Sequence, residues 1–399
     1  MRAIRTPLSV MTLALAAAGL AHAQEPDKIK IGFITDMSSN YADVDGKNGA
    51  LAIQMAIDDF GGKVLGKPIE LLTQDHQHKP DIAATKAREW IDTQNLTMLF
   101  GGTNSGVGLA LAKVAQEKKR VYIVNGAGAS QLTNEQCSPY TVHYAYDTVA
   151  LAKGTGAAVV KGGGKEWFFL TADYAFGHNL EGDTAKIVKA NGGTVKGTVR
   201  HPINASDFSS FLLQAQNSKA QILGLANAGG DTINAIKAAR EFGINKTMQM
   251  AGLLVFVTDV HSLGLKNTEG LLLTSSWDWN LNDESRAFGR KFQAKTKRMP
   301  TDIQAANYSA TTQYLKALEK AGTTDADKVM AVLKSTPIKD FYAQGVIRPD
   351  GRYAHDMYLM EVKSPAESKE PWDYYKVVAK LPSDEVWTTK EESKCALWK

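Results

Sequence analysis

Cysteine is scarce in this sequence, because only Cys137 and Cys395 occur among its 399 residues. Two cysteines are too few for a four-cysteine zinc site or for a scaffold held together by several disulfides. If the protein reaches an oxidising compartment, we expect one disulfide that ties the C-terminal tail, residues 381–399, to Cys137. Two free, buried or disordered thiols are the alternative.

The sequence also lacks a strong net charge. Its 46 Lys and Arg residues against 42 Asp and Glu give +4, and loss of residues 1–23 would remove Arg2 and Arg5 and leave +2. Proteins that bind nucleic acid or anionic membranes usually carry a clear basic excess. The near balance argues against both kinds of partner, whereas a hydrophobic content of 44% is ordinary for a globular chain.

Long apolar runs are missing after the N-terminus. Leu8–Leu20 is apolar, but it is too short to span a bilayer. Arg2 and Arg5 precede it, and the small residues of a cleavage site follow at Ala21–Ala23. We therefore predict a secretory signal over residues 1–23, cleaved near Ala23, and an exported periplasmic protein. A retained anchor is the alternative.

Motifs of nucleotide-binding and hydrolytic enzymes are missing as well. Gly61–Lys67 has the spacing of a phosphate loop, but Pro68 stands where Ser or Thr is needed. Neither a dinucleotide fingerprint after the first strand nor a G-x-S-x-G elbow occurs. His76 and His78 have no third ligand evident nearby, so we expect a solvated loop there. The sequence thus predicts no enzyme, no metal site and no cofactor.

The chain does contain a regular alternation of strand-like and helix-like segments. One series runs from residue 29 to residue 124, and a second of similar build runs from residue 149 to residue 250. Such alternation is typical of parallel sheets with helices on both faces. We therefore predict an α/β fold with two doubly wound parallel-sheet lobes.

Small polar residues stand where several predicted strands end. In Leu99–Gly106 an apolar strand stops at a glycine pair and a helix opens, so that free N–H groups and the hydroxyls of Thr103 and Ser105 form a candidate anion site. Similar turns are found at Asn125–Ser130, Asp173–Gly177 and Asn227–Asp231. Since the carboxyl ends of parallel strands share one edge, we expect a crevice for a small polar ligand. Ordinary turn chemistry is the alternative.

Aromatic residues flank the same strand ends. They are Tyr41, Tyr144, Tyr146, Tyr174, Phe176, Trp277 and Trp279. Together they could enclose a flat ligand, although core packing explains each of them singly.

The chain resembles the leucine/isoleucine/valine-binding (type I) family of periplasmic solute-binding proteins, the receptor part of ABC importers. The resemblance covers essentially the whole mature chain and rests on residues in family-like order and spacing. These are the Tyr41 loop, Gly49–Gly62, Leu65–Ile69, Asp75, Gly101–Ser105, Asp173–Gly177 and Asp207–Ser209. It implies two lobes joined by a three-strand hinge, one at residues 24–146 and 277–345 and the other at 147–276 and 346–380.

The resemblance also implies how a ligand is held. Ser105 and backbone N–H groups near Gly126–Gly128 would bind a carboxylate on the first lobe, with Tyr174 and Asn227–Asp231 on the second. Amino-acid binders of this family commonly carry a hydroxyl residue where Gly128 stands. The full set of expected ligand-binding residues is Tyr41, Asn104, Ser105, Gly126, Ala127, Gly128, Tyr146, Asp147, Tyr174, Asn227, Asp231 and Leu253.

One departure from the family pattern bears on the ligand. Amino-acid binders place an acidic residue for the ammonium group near the turn that is apolar here, Gly252–Leu254. A buried ammonium without an acidic partner is costly. We therefore expect a carboxylate without an α-amino group, such as a benzoate- or cinnamate-like aromatic acid. Asp147 and Asp231 remain possible ammonium partners, so an aliphatic amino acid is the alternative.

The expected partners follow from the same resemblance. We predict a monomeric receptor that passes its solute to an inner-membrane ABC permease and contacts no nucleic acid. A periplasmic sensor that feeds a signalling receptor is a further alternative.

Overall fold

The computed structural model describes residues 27–399, so the predicted signal at residues 1–23 and its cleavage site lie outside the described residues. The first lobe is built on a six-stranded sheet with the strand order β2-β3-β1-β4-β5-β6. All its pairs are parallel except β2 with β3. Its elements are β1 (Ile29–Thr35), α1 (Gly46–Asp59), β2 (Lys63–Val64), β3 (Lys67–Asp75), α2 (Pro80–Gln94), β4 (Met98–Gly101), α3 (Ser105–Lys118), β5 (Val121–Val124) and β6 (Thr141–His143).

The second lobe is built on a four-stranded parallel sheet with the order β10-β9-β7-β8. Its elements are α4 (Thr148–Leu151), α5 (Ala157–Lys161), β7 (Glu166–Ala172), α6 (Ala175–Ala190), β8 (Thr194–His201), α7 (Ser209–Asn217), β9 (Ile222–Ala226), α8 (Gly230–Glu241), β10 (Gln249–Gly252), α9 (Val257–Leu263), α10 (Leu265–Thr268) and β11 (Leu272–Ser275). The predicted α/β fold with two parallel-sheet lobes is confirmed.

The rest of the chain returns to the first lobe and then to the second. The elements are α11 (Asp283–Thr296), α12 (Asp302–Ala321), α13 (Ala326–Ser335), β12 (Ile338–Lys339), β13 (Gln344–Ile347), β14 (Tyr353–His355), β15 (Met357–Val362), β16 (Tyr375–Leu381) and α14 (Ser383–Val386). Helix α12 packs on α1, and β11 joins β15 and β16 in an antiparallel sheet. The small sheet β12-β13-β14 straddles the lobe boundary expected at residue 345.

The predicted helix over residues 149–161 is present, but its middle, Ala152–Gly156, is a π-helical turn between α4 and α5. Gly154 lies against β11, where an added Cβ would stand 2.2 Å from Oγ1 of Thr274. The close packing of this turn requires a residue without a side chain. The sequence reading missed β6, α9 and α10, all of which are short.

The chain crosses between the lobes after β6, after β11 and between β14 and β15. Arg352 lies fully buried beside the first and third crossings. Its guanidinium donates to the His143 carbonyl at 2.9 Å and to Oδ2 of Asp147 at 3.0 Å, and it lies 4.4 Å from the ring centre of Trp387. Burial lowers the pKa of His143 well below its usual value, and the neighbouring Arg352 lowers it further. Arg352, whose positive charge is balanced by Asp147, therefore links two of the three crossings.

The C-terminal tail runs from the second lobe to the first. Lys153 of the second lobe donates to the Glu385 and Trp387 carbonyls, and farther on Cys395 forms a disulfide with Cys137. Among residues 27–399 we find no helix that is long and apolar enough to cross a membrane.

Candidate functional site

A small cavity lies between the lobes, at the carboxyl ends of the parallel strands. It is lined by Tyr41, Val44, Thr103, Ser105, Gly126, Tyr146, Tyr174, Phe176, Ala228, Leu254 and Phe256. Both lobes contribute side chains to it, as expected for a ligand that is enclosed when the two lobes meet.

Ser105 supplies the clearest polar group on the first lobe. It is the first residue of α3, and it is 1% exposed. Its Oγ accepts a hydrogen bond from the Ala129 N–H at 3.1 Å. A hydroxyl that accepts in this way still has its own proton to donate. No protein acceptor for that proton is found within residues 27–399, so Ser105 can donate into the cavity.

The turn after β5 offers three backbone N–H groups next to Ser105. The carbonyls of this turn are engaged, since Gly126 accepts from the Tyr146 hydroxyl at 3.0 Å and Gly128 accepts from the Thr148 N–H at 2.9 Å. In the described part of the chain, the N–H groups of residues 126–128 have no protein acceptor. Buried backbone N–H groups are almost always paired in native proteins. The turn is therefore suited to an anionic oxygen.

Thr103 lines the cavity, but its hydroxyl is committed elsewhere. Its Oγ1 donates to Oδ2 of Asp45 at 2.6 Å, and Thr35 donates to the same oxygen. Burial raises the pKa of Asp45 to about 6, although the hydrogen bonds from Thr103, Thr35 and Asn307 act in the opposite direction. Thr103 thus supports the floor of the cavity, and the expectation that it would offer a second free hydroxyl is wrong.

The remaining walls are aromatic and apolar. Tyr41 of the first lobe and Tyr174 of the second meet through their hydroxyls at 2.5 Å. Burial raises the pKa values of both phenols well above their usual range, so both are neutral. Phe256 lies 6.4 Å from Tyr146, measured between ring centres, and Phe176 lies 6.1 Å from Tyr174. A flat apolar group would find ring surfaces on both sides.

Several expected ligand-binding residues lie at or beside this cavity. Tyr41, Ser105, Gly126, Tyr146 and Tyr174 line it, and Ala127 and Gly128 follow directly in the turn. An added Cβ at Gly128 would stand 2.9 Å from the ring of Phe176. The absence of a side chain at this position therefore makes room for the aromatic wall.

Other expected ligand-binding residues have structural partners and do not line the cavity. Asn104 caps α3 by accepting from the Val107 N–H, and Asp147 caps α4 and pairs with Arg352. Asn227 bonds with His201 and Thr232 inside the second lobe.

Two more of the expected residues are buried and do not line the cavity. Leu253 is fully buried, and its neighbour Leu254 lines the cavity in its place. Asp231 accepts from the N–H groups of Asn204 and Ala205, and burial raises its pKa to about 6.

The expectation of a solvated loop at His76 and His78 is wrong. His76 is fully buried, and Nε2 of His78 lies 3.0 Å from Oδ2 of the buried Asp36. Burial would raise the pKa of Asp36, but the bonds from His78 and the Tyr41 N–H lower it below its usual value. The contact of Asp36 with His78 and its bond from the Tyr41 N–H fix the loop that carries Tyr41. No cluster suited to a metal ion is found among residues 27–399.

Trp277, Trp279 and Tyr144 belong to the core and not to the cavity. The Trp277 indole donates to Ser285, the Trp279 indole donates to the Trp372 carbonyl, and the Tyr144 hydroxyl bonds with Ser309. Ala228 falls within the stretch Asn227–Asp231 that was expected to line the second-lobe wall, whereas Val44 and Phe256 were missed as lining residues. Phe256 directly precedes α9, a helix that the sequence pattern does not predict, so nothing in the sequence marked it as a lining residue.

Comparison with known proteins gives consistent results. The model of a family described as periplasmic binding protein matches residues 28–369. The chain spans 61% of the length of a curated relative, the Leu/Ile/Val-binding protein homolog 7 of Brucella abortus, at 22% identity over 59% of this chain.

Solved structures cover more of the chain. A periplasmic binding protein from Burkholderia mallei is 68% identical, with a TM-score of 0.93 over 94% of this chain and 100% of that one. A second solved structure is that of a branched chain amino acid ABC transporter periplasmic ligand-binding protein from Burkholderia xenovorans LB400. It is 40% identical, with a TM-score of 0.83 over 93% of this chain and 100% of that one. A third is a solute binding protein of an ABC transporter from Rhodopseudomonas palustris HaA2, solved in complex with p-hydroxybenzoic acid. It is 25% identical, with a TM-score of 0.81 over 90% of this chain and 99% of that one.

Proposed function

The chain belongs to the periplasmic binding protein family, and from that premise we propose that it closes around a small aromatic carboxylate of the benzoate or cinnamate type and delivers it to an ABC permease. The family is one of binding proteins and not of enzymes. The observation that carries the ligand class is the pairing of an anion-binding turn with ring-lined walls in one cavity.

The carboxylate would lie on the first lobe. The free Ser105 proton and the unpaired N–H groups of residues 126–128 point to one negatively charged partner. The position at the start of α3 adds the positive end of the helix dipole. Charge-assisted hydrogen bonds of this kind are about twice as strong as neutral ones.

The other end of the ligand would be apolar and without an ammonium group. Within the described residues the cavity lining has no Asp or Glu, and Leu254, Phe256 and Phe176 stand on the second-lobe side. Asp147 pairs with Arg352, and Asp231 does not line the cavity and accepts from the N–H groups of Asn204 and Ala205. An α-ammonium group would be buried unpaired, at a cost of several kcal/mol. The structural neighbour solved with p-hydroxybenzoic acid supports the same class.

Calorimetric titration of the mature protein tests the ligand class. We expect benzoate or cinnamate to bind and leucine and valine to bind far more weakly. Micromolar binding of leucine or valine without binding of the aromatic acids would contradict the proposal. It would favour the branched-chain alternative, to which the name of the Burkholderia xenovorans neighbour points.

Replacement of Ser105 by alanine is expected to weaken benzoate binding by about 1.5–3 kcal/mol, the range for a hydrogen bond to a charged group. The Ala129 N–H would also lose its acceptor. Titration of the variant measures the loss, and Ser210→Ala on the exposed face of α7 is the matched control. An unchanged affinity in Ser105→Ala would remove Ser105 from the site.

A further inference from the structure

A second group of polar contacts between the lobes lies outside the cavity, at Asn40. This residue stands in the loop after β1 and reaches the start of α8 on the second lobe. Its Oδ1 accepts from the Asp231 N–H at 2.9 Å, and its Nδ2 donates to Oδ2 of Asp231 at 3.2 Å. The Asn40 carbonyl accepts from the Gly230 N–H at 3.2 Å. Nδ2 of Asn40 also donates to the Ala228 carbonyl at 3.3 Å, so Asn40 makes four hydrogen bonds with the second lobe.

Helix α8 lacks a cap from its own lobe. Its N-cap residue is Gly229, which has no side chain to accept from the first N–H groups of the helix. Asn is among the best N-cap residues because its side-chain oxygen accepts from these groups. Asn40 fills that role from the opposite lobe, through its bond with the Asp231 N–H. The N–H groups of Gly230 and Asp231 therefore have these acceptors only when the lobes meet.

The two glycines at this helix start make the contact possible. An added Cβ on Gly230 would stand 2.5 Å from Oδ1 of Asn40, and one on Gly229 would stand 2.6 Å from the Asn40 carbonyl oxygen. Distances this short require something to move. The backbone of α8 can approach the Asn40 loop only because neither position carries a side chain.

The Asp231 carboxylate is held ready for this contact by its own lobe. Its two oxygens accept from the N–H groups of Ala205 and Asn204 at 3.1 Å and 3.2 Å. Those bonds fix the orientation of the carboxylate toward Asn40. Asn40 itself is absent from the residues that line the cavity.

We propose that Asn40 is a positioning residue that latches the first lobe to the start of α8, and that it sets ligand affinity by stabilising the closed form without touching the ligand. The inference rests on the proposed function, since it assumes that closure accompanies binding. An interaction made only in the closed form raises the affinity of every ligand that requires closure.

The first experiment replaces Asn40 by alanine in the mature chain. We expect benzoate affinity to fall roughly tenfold, from the loss of a cap and a bond to a carboxylate, with the unfolding temperature unchanged. Ser39→Ala is the matched control, because the Ser39 hydroxyl lies in the same loop and donates to Asp36 of its own lobe. An equal loss of affinity in both variants would overturn the proposal.

A second measurement is independent of the ligand. Spin labels on one exposed position of each lobe report the distribution of distances between the lobes without any solute. We expect the Asn40→Ala protein to spend less time at the short distance than wild type and Ser39→Ala. If benzoate fails to bind to wild type, the proposed ligand is wrong. The measured distances still test whether Asn40 stabilises the closed form. Identical distributions in all three proteins would overturn it.

The glycine at the helix start gives a third check. Gly230→Ala should also weaken binding, because its Cβ would strike the Asn40 amide. In the double variant with Asn40→Ala that amide is gone, so the two losses should not add. Strict additivity would contradict a direct contact between the two positions.

Discussion

Replacement of Arg352 by methionine is expected to destabilise the folded protein by about 3–5 kcal/mol, the cost of removing one partner from a buried ion pair. The methionine would retain much of the length of the side chain and lose its charge. Asp147 would keep a carboxylate with almost no access to water, and the His143 carbonyl would lose a donor. The packing of the guanidinium against Trp387 would also be lost.

Denaturant unfolding of Arg352→Met and of Arg290→Met measures this loss against a matched control. Arg290 also lies over a tryptophan, Trp279, and pairs with a carboxylate, that of Glu370, but both partners of this pair are more than 40% exposed. Exposed pairs contribute about 0–1 kcal/mol. Equal losses of unfolding free energy in the two variants would show that burial does not increase the contribution of Arg352 to stability.

A second substitution distinguishes two causes of the lost stability, the unpaired Asp147 carboxylate and the lost packing against Trp387. In the double variant Arg352→Met with Asp147→Asn, no buried carboxylate is left without a partner, while the amide can still cap α4. We expect part of the stability to return. No recovery would assign the loss to the contacts with His143 and Trp387.

Removal of the disulfide is expected to cost about 5.5 kcal/mol of unfolding free energy by the chain-entropy relation, because the bond closes a very long loop. Cys137 and Cys395 are 258 residues apart in the sequence. The double variant Cys137→Ser with Cys395→Ser measures the loss by denaturant unfolding.

Wild type unfolded with and without a reductant is the control for the serine side chains. The reduced protein should match the double variant. A difference of less than about 1 kcal/mol between oxidised and reduced protein would show that the unfolded chain gains little freedom when the loop opens.

The fold was readable from sequence because its main signal is local. Alternating apolar strands and amphipathic helices mark both sheets, and the glycine pair before Ser105 marks the turn that opens α3. The polar end of the cavity follows from that turn, since a helix start offers N–H groups whatever surrounds it.

Some of the expected site residues have chemistry that suits two purposes equally well. Asn and Asp at a strand end suit a ligand, but they also suit a helix cap, and the structure uses Asn104 and Asp147 as caps. The partner of Asp147 is Arg352, 205 residues later, which no local pattern reveals. His78 was expected in solvent because its partner Asp36 lies on another strand end. Pairings between distant segments decide such cases.

The disulfide also bears on how far the lobes can swing apart. The tail leaves β16 on the second lobe and ends on Cys137 of the first, so a covalent tether spans the hinge beside the three backbone crossings. Any rotation about those crossings must also stretch or bend residues 382–394. The disulfide therefore limits how far the lobes can open, and this limit exists only after the two thiols have been oxidised.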